Sequence, residues 1–272
     1  MTAVAILGVG TVGELLLGGL LRSGWTAERI VVVARRQERA REIEQRYGVR
    51  AVDVAEATQI ANTLLIAVKP QDIAGLLNQL VGQVGASHLV ISVAAGVPTS
   101  FIERQLDADV PVVRAMPNTP ALVDEAMSAI SPGTYADNPH LAAAEQILLP
   151  VGKVLRVPQQ QLDAVTALSG SGPAYFFYVV EAMIDAGILL GLPRGIAADL
   201  VVQTALGAAT MLRDSGEHPV QLREAVTSPG GTTINAIVEL EKHSVRAAFI
   251  SAISAACDRS AELAAGFRPD VH

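Results

Sequence analysis

The chain reads as two domains, an α/β N-terminal domain built on a parallel sheet and an all-α C-terminal domain that dimerises. Three observations carry this. From residue 4 to about residue 158, short runs of Val, Ile and Leu alternate with amphipathic stretches, the pattern of buried parallel strands joined by crossover helices. The first apolar run ends in Gly8-Val9-Gly10-Thr11-Val12-Gly13 and a helical pattern follows at once, which makes the first domain Rossmann-type. Beyond the segment Pro158-Gln159-Gln160-Gln161 the strand pattern stops, so the domains are placed at 1–158 and 159–272.

In order, Val4-Ala5-Ile6-Leu7 is the first strand and 13–21 the helix after the glycine turn. Residues 30–33, an unbroken Ile-Val-Val-Val, form the second strand, and the charged stretch 38–47 its helix. Strand 64–68 precedes the amphipathic stretch 73–81, read as the next helix. Runs 89–93, 110–114 and 153–157 are further strands, with helix 141–149 before the last. The C-terminal part is helical at 173–190, broken by Gly191-Leu192-Pro193, then at 194–214, 220–226, 232–243 and 245–266.

Composition narrows the function. Hydrophobic residues make up 50% and aromatics 4%, with a mean hydropathy of +0.38, so the core is built from Ala, Val, Leu and Ile. No stretch of eighteen uninterrupted apolar residues occurs; the nearest, 196–212, carries Asp199 and Gln203, and no membrane span is expected. Both long helices, 173–190 and 194–212, are apolar on more than one face, and dimerisation accounts for that excess. A net charge of −7 without a basic run argues against a nucleic-acid partner, since phosphate neutralisation needs clustered Lys and Arg. The N-terminus lacks the basic region of a signal peptide, and the one cysteine, Cys257, fits a reducing cytoplasm; it is given no catalytic role. No metal site is expected.

The GxGxxG turn stands between a strand and a helix, where its glycines allow a tight turn, close approach of a pyrophosphate and helix-strand packing. An NAD site would place Asp or Glu at the end of the second strand. Here Ala34-Arg35-Arg36 stands instead, two guanidiniums able to grip a 2′-phosphate, so NADPH is favoured and NADH remains open. Two more strand ends, Ala67-Val68-Lys69-Pro70 and Val93-Ala94-Ala95-Gly96, belong to the cofactor side of such a sheet. Arg114-Ala115-Met116-Pro117-Asn118-Thr119-Pro120 is either a rigid loop or part of a site.

A second anion site lies near the C-terminus. Thr227-Ser228-Pro229-Gly230-Gly231-Thr232-Thr233 places four hydroxyls around two glycines directly before a helical pattern. The unpaired amides of a helix start, with the dipole behind them, favour a small carboxylate or phosphate. Capping by Ser228 or Thr232 is the simpler reading, and the number of hydroxyls exceeds what a cap needs. The five histidines, His88, His140, His218, His243 and His272, fall in loops, at helix ends or at the terminus and are assigned surface roles.

Taken together, GVGTVG at 8–13, AVKP at 67–70, RAMPNTP at 114–120, ALSGSGPAY at 167–175, GLP at 191–193 and VTSPGGTTINAI at 226–237 resemble the pyrroline-5-carboxylate reductase family over nearly the whole chain. The resemblance implies reduction of the C=N bond of 1-pyrroline-5-carboxylate by NAD(P)H to L-proline, the last step of proline biosynthesis. It implies an NADP-binding Rossmann domain and a helical substrate and dimerisation domain, forming a homodimer and larger assemblies up to a decamer of dimers. Gly8, Gly10, Thr11, Val12 and Gly13 would hold the pyrophosphate and Arg35 the adenine ribose side, while Ala67, Val68, Lys69, Pro70 and Ala95 line the nicotinamide. The substrate carboxylate would sit on Ser228, Gly231, Thr232 and Thr233, with Thr233 near the ring nitrogen; Thr233 and Lys69 are the catalytic candidates. Many members carry Ala where this chain has Gly13, and Glu217 is given no role.

The chemistry agrees with so sparse a site. A protonated cyclic imine is already a good hydride acceptor, and its own carboxylate offers an anchoring charge, so the protein has chiefly to orient and to exclude water. Two other readings stay open: a different NADP-linked dehydrogenase or imine reductase, for instance one acting on a small hydroxy acid, and a regulator that binds NADPH without turnover. Hydroxy-acid enzymes commonly place a Lys or His acid on the interdomain helix, and 173–190 has neither.

Overall fold

The computed structural model describes residues 4–267. By internal contacts the chain divides into two units, Met1–Ser171 together with Ala256–His272, and Gly172–Ala255. This division lies later than the break expected at Pro158.

The first unit is built on one eight-stranded sheet. Its strands are β1 (Val4–Leu7), β2 (Ile30–Val33), β3 (Arg50–Ala51), β4 (Thr63–Ile66), β5 (Leu89–Ser92), β6 (Val112–Met116), β7 (Ala126–Pro132) and β8 (Gly152–Arg156). They lie in the order β3-β2-β1-β4-β5-β6-β7-β8; β1 to β6 are parallel, and only the β6/β7 pair is antiparallel. Chain order reverses between β1 and β4, the switch point at which open α/β sheets bind ligands.

Helices α1 (Thr11–Arg22), α2 (Gln37–Tyr47), α3 (Val54–Ile60), α4 (Ile73–Leu80), α5 (Thr99–Leu106), α6 (Asn138–Leu148) and the single turn α7 (Leu162–Val165) join the strands or follow the last of them. Because side chains alternate along a strand, the sheet supports two cores. Ile6, Leu65, Ile91 and Val113 face Leu16, Leu17 and Leu20 of α1 and Ile43 of α2. Leu7, Leu64, Ile66 and Val90 face Ile73 and Leu77 of α4 and Ile102 of α5. Each such fully buried Leu or Ile contributes about 2 kcal/mol from area removed from water.

Five elements have no counterpart in the sequence expectations. β3 is two residues long, α3 seven, α5 eight and α7 four, each too short for a hydrophobic period to stand out. β7, Ala-Met-Ser-Ala-Ile-Ser-Pro, has one β-branched residue, and its place comes from pairing with β6 and β8 on both sides. The Ser-Gly-Ser-Gly segment, 169–172, which as a sequence reads as a flexible, small-residue entrance to the helix at 173–190, with Ser171 either its cap or at the border of a pocket, also takes another form. Ser171 does not cap a new helix: α7 runs through a π-helical turn, Thr166–Gly170, in which Ser171 N–H donates to Thr166 O at 2.9 Å. A Cβ at Gly170 would stand 2.6 Å from Met116 Cε, the movable tip of that side chain, so glycine lets Met116 pack against the wide turn without shifting. Asn118 ties the same corner, donating to Ser169 O at 3.1 Å and accepting from Met127 N–H at 2.9 Å, which holds the turn that follows β6.

The second unit contains α8 (Gly172–Leu189), α9 (Arg194–Ser215), α10 (Pro219–Ala225), α11 (Thr232–Lys242) and the first half of α12 (Val245–Ala265). α8 and α9 form a hairpin closed at Gly191, whose φ of +94° lets Leu192 N–H donate to Gly187 O at 3.0 Å. By length and composition alone, Gln159–Leu189 and Arg194–Ser215 would each pass for a membrane span, contrary to the sequence expectation. Glu181 and Asp185 on α8 and Asp199 and Arg213 on α9 count against that placement. Phe176, Phe177, Tyr178, Leu189 and Leu206 are exposed in the single chain.

Gly152 pairs with Ala126 at the start of the β7/β8 ladder with φ +148°, and a Cβ there would overlap the Ala126 backbone. Gly152→Ala is therefore expected to cost at least about 3 kcal/mol. Urea unfolding of the two proteins checks this, and equal midpoints would contradict it.

Candidate functional site

The β1–α1 turn lies at the switch point. Gly8 has φ +103°, and a Cβ on it would stand 2.7 Å from Val68 Cγ1 and 3.0 Å from Ala67 O, so only glycine lets the chain turn this close to β4. Gly13 is buried, and a Cβ there would run into Gly8 O. α1 thus starts hard against the turn. Gly10 is the N-cap and makes no side-chain cap, and nothing lies within 4 Å of where its Cβ would be. Unsatisfied first-turn amides beside open space are what a pyrophosphate requires. Thr11 and Val12, on that first turn, are exposed.

One carboxylate, Glu14, stands in this same turn and is neutralised. Arg39 bridges it, Arg46 reaches it at 2.8 Å and Tyr47 Oη donates to it at 3.0 Å. Burial pushes the Glu14 carboxyl up, but the hydrogen bonds from Arg39 and Tyr47 and the charges of Arg39 and Arg46 outweigh it and hold the carboxyl below its usual range. Arg39 is fully committed, since it also donates to Val9 O at 2.9 Å and pairs with Glu42 at 2.6 Å.

Above the turn is a cleft of about 440 Å³ lined by Gly8, Gly10, Arg35, Ala67, Val68 and Lys69 among the expected residues, and by Arg36, Arg39, Gln71 and Asp72 besides. A second hollow of about 950 Å³, toward β3 and α3, shares Gly8, Arg35, Val68 and Asp72 with it. Open glycine backbone, unpaired amides and a hollow of this size fit a nicotinamide dinucleotide. Arg35 donates from Nη1 to Asp72 Oδ1 at 3.1 Å, while Arg36 is exposed and makes no ion pair among the described residues. Lys69 is exposed at the end of β4, just before the 3₁₀ turn Pro70–Asp72. Ala95 is exposed beyond β5, and Gly96 beside it (φ +75°) leaves 3.5 Å between its would-be Cβ and Leu263 Cβ of α12. Thr11, Val12, Gly13, Pro70 and Ala95 do not line the cleft itself.

In the second unit Ser228-Pro229-Gly230-Gly231 is a β-turn closed by Gly231 N–H to Ser228 O at 3.1 Å, with Pro second and Gly230 third at φ +68°. A Cβ at Gly231 would collide with Ser228 Oγ. Capping by Ser228 or Thr232 does not occur: Gly231 itself is the N-cap of the eleven-residue α11, and no side chain bonds to its first amides. Thr232 and Thr233 occupy the first two helical positions, and they and Ser228 make no side-chain hydrogen bond among the described residues. Thr227 is spent on Arg223 O at 2.6 Å. Three hydroxyls and a set of unpaired amides are gathered at one helix start.

The histidines are accounted for locally. His88 accepts from Gly85 N–H and lies 3.0 Å from Thr58 O, half-buried in the loop before β5. His140 and His218 belong to the capping boxes of α6 and α10, His243 is exposed after α11, and His272 lies outside the described residues. The sequence reading missed Gln71 and Asp72. They follow a strand-end motif by one and two residues, and only the neighbouring strands make that position a cleft wall.

Residues 159–263 match the family model described as pyrroline-5-carboxylate reductase dimerisation, and residues 3–96 match the model described as NADP oxidoreductase, coenzyme F420-dependent. A pyrroline-5-carboxylate reductase of Corynebacterium melassecola is 43% identical over 267 residues, covering 97% of this chain and 99% of the relative. The structure of the pyrroline-5-carboxylate reductase from Coxiella burnetii superposes with a TM-score of 0.90 at 36% identity, over 96% of this chain and 98% of that one. A Plasmodium falciparum pyrroline carboxylate reductase with NADP bound gives a TM-score of 0.86 at 26% identity, over 97% and 98%.

Gly8→Ala forces a Cβ into the Val68 and Ala67 contact and is expected to weaken dinucleotide binding at least about tenfold, the equivalent of 1.4 kcal/mol. Fluorescence titration with NADPH measures this. Retained affinity would show that the turn does not carry the cofactor.

Proposed function

The chain belongs to the pyrroline-5-carboxylate reductase family and is an NAD(P)-dependent oxidoreductase that reduces the C=N bond of 1-pyrroline-5-carboxylate to L-proline, and we propose that it uses NADPH in preference to NADH and binds the substrate carboxylate at the 228–233 turn. The observation that carries the substrate reading is the bare start of α11: a glycine N-cap, no side chain on its amides, and Ser228, Thr232 and Thr233 with hydroxyls uncommitted. The helix dipole and amides neutralise a carboxylate there without a cation.

When bound, the dinucleotide supplies the hydride. The chain's own residues do the rest. Gly8, Gly10, Thr11, Val12 and Gly13 give the pyrophosphate its backbone seat, and the neutralised Glu14 leaves no repelling charge beside it. Ala67, Val68, Lys69, Pro70 and Ala95, at the ends of the adjacent strands β4 and β5, line the nicotinamide side, with Lys69 contributing its charge. Thr233 Oγ1 stands at the second helical position and hydrogen-bonds the imine nitrogen, fixing the ring once the carboxylate is anchored. NADPH preference is supported by the absence of a carboxylate at the end of β2, where Arg35 and Arg36 stand.

The exposed apolar side chains of α8 and α9 are covered by a second copy in this reading, with a decamer of dimers as the larger assembly. The match of 159–263 to a dimerisation model supports the dimer. A cytoplasmic setting, away from any membrane, goes with it and is supported by the lone Cys257 and by the acidic side chains on both long helices.

Following NADPH oxidation with pyrroline-5-carboxylate, Thr233→Ala is expected to lower kcat/KM by about tenfold to a hundredfold, the cost of one charge-assisted hydrogen bond. Undiminished kcat/KM would remove Thr233 from the mechanism. Arg35→Ala is expected to raise KM for NADPH by about tenfold with little change for NADH, as loss of a charge-assisted phosphate contact requires. An unchanged ratio of the two KM values would overturn the assignment of Arg35.

A further inference from the structure

Arg35 stands two residues beyond β2 and Asp72 six residues beyond β4, and β1 lies between those two strands. Their 3.1 Å ion pair therefore spans the glycine turn from one rim to the other. Both residues line both hollows at the cofactor site. The Asp72 carboxylate is not committed elsewhere: Asp72 precedes α4 but makes no side-chain cap. Arg39, the third guanidinium of the cleft, is held by Glu14, Glu42 and Val9 O, and Arg36 has no ion pair among the described residues. Arg35 is the cation of this rim whose partner faces it across the cleft.

We infer that Asp72 is a specificity-determining residue, a carboxylate that competes with the 2′-phosphate of the cofactor for the Arg35 guanidinium. This rests on the reading that Arg35 meets that phosphate. A 2′-phosphorylated adenine nucleotide offers Arg35 a dianion in exchange for Asp72, and the displaced carboxylate is then left beside a like charge. A nucleotide with a free 2′-hydroxyl offers nothing to exchange, so the Arg35–Asp72 pair persists over it. Asp72 thus weakens the phosphorylated ligand selectively and moderates a preference that Arg35 creates.

The pair is exposed, with 83% and 40% of its side chains accessible, so the effect is set by a surface ion pair and amounts to about twofold to fivefold in affinity. The test is calorimetric titration of the full-length protein, its Asp72→Asn variant, Arg35→Ala and the double variant with adenosine 2′,5′-bisphosphate and with 5′-AMP at low salt. Asp72→Asn is expected to bind the bisphosphate about twofold to fivefold more tightly and 5′-AMP as before, and the gain should vanish in the Arg35→Ala background. A ratio unchanged by Asp72→Asn, weaker bisphosphate binding, or a gain that survives in the double variant would overturn the inference while leaving Arg35 in place. If Arg35→Ala alone leaves the ratio unchanged, the phosphate assignment of Arg35 fails, and the inference with it. Because both readouts are ratios between two ligands, a general loss of stability does not imitate them.

Discussion

The contact on which the first unit depends is the approach of Gly8 O to Gly13, which no side chain interrupts. It lets α1 begin directly over the carboxyl end of β1, at the point where the strand order reverses. Everything useful at that end follows from it. The first-turn amides are presented to the cleft instead of to a side-chain cap, the ends of β2 and β4 become its two walls, and Glu14 is carried so close to the turn that Arg39, Arg46 and Tyr47 must hold and neutralise it. The cost of this geometry falls on sequence freedom, because Gly8 can accept a side chain neither in its φ nor in its space.

The second unit solves a similar problem by other means. Both candidate anion sites are helix starts capped by glycine, Gly10 for α1 and Gly231 for α11, and both leave their amides without a side-chain partner. A Ser or Asn cap would stabilise either helix over glycine by only a few tenths of a kcal/mol, roughly, and it would also fill the position an anion needs. The difference lies in what surrounds them. α1 is backed by a buried sheet, whereas α11 belongs to a unit whose long helices carry exposed Phe, Tyr and Leu side chains and which buries few residues within one chain.

Much of this is legible in the sequence because it rests on local rules. Three unbroken apolar runs at 4–7, 30–33 and 64–68, the 3–4 spacing of α4, the glycine turn and the Gly-Leu-Pro break between α8 and α9 are properties of adjacent residues. What escaped is short or non-local. β3 and α3 are too brief to show a period, β7 is a strand because β6 and β8 flank it, and the Ser-Gly-Ser-Gly segment, which looks like a flexible entrance, runs through a π-turn to which Asn118 is hydrogen-bonded. Arg114 belongs to the same class. Nothing in the local sequence marks it as buried, yet it is; burial lowers its basicity and Asp163 opposes that from α7, forty-nine residues along the chain.

By itself the sequence determined the two-domain plan, the nucleotide turn, the absence of a carboxylate after β2 and the hydroxyl-rich turn before α11, since glycine spacing and residue type carry those locally. The tertiary structure decided which charges remain available. Three arginines lie within six residues after β2, equivalent in sequence, but Arg39 is consumed by Glu14 and Glu42, Arg35 faces Asp72 from the far wall, and Arg36 stands free of ion pairs among the described residues. It also decided that Gly231, not Ser228 or Thr232, caps α11. The physical reason is the same in both cases. Electrostatic and hydrogen-bond partners are chosen by distance through space, and strand order brings residues 35 and 72 within 3.1 Å when the chain between them is thirty-seven residues long.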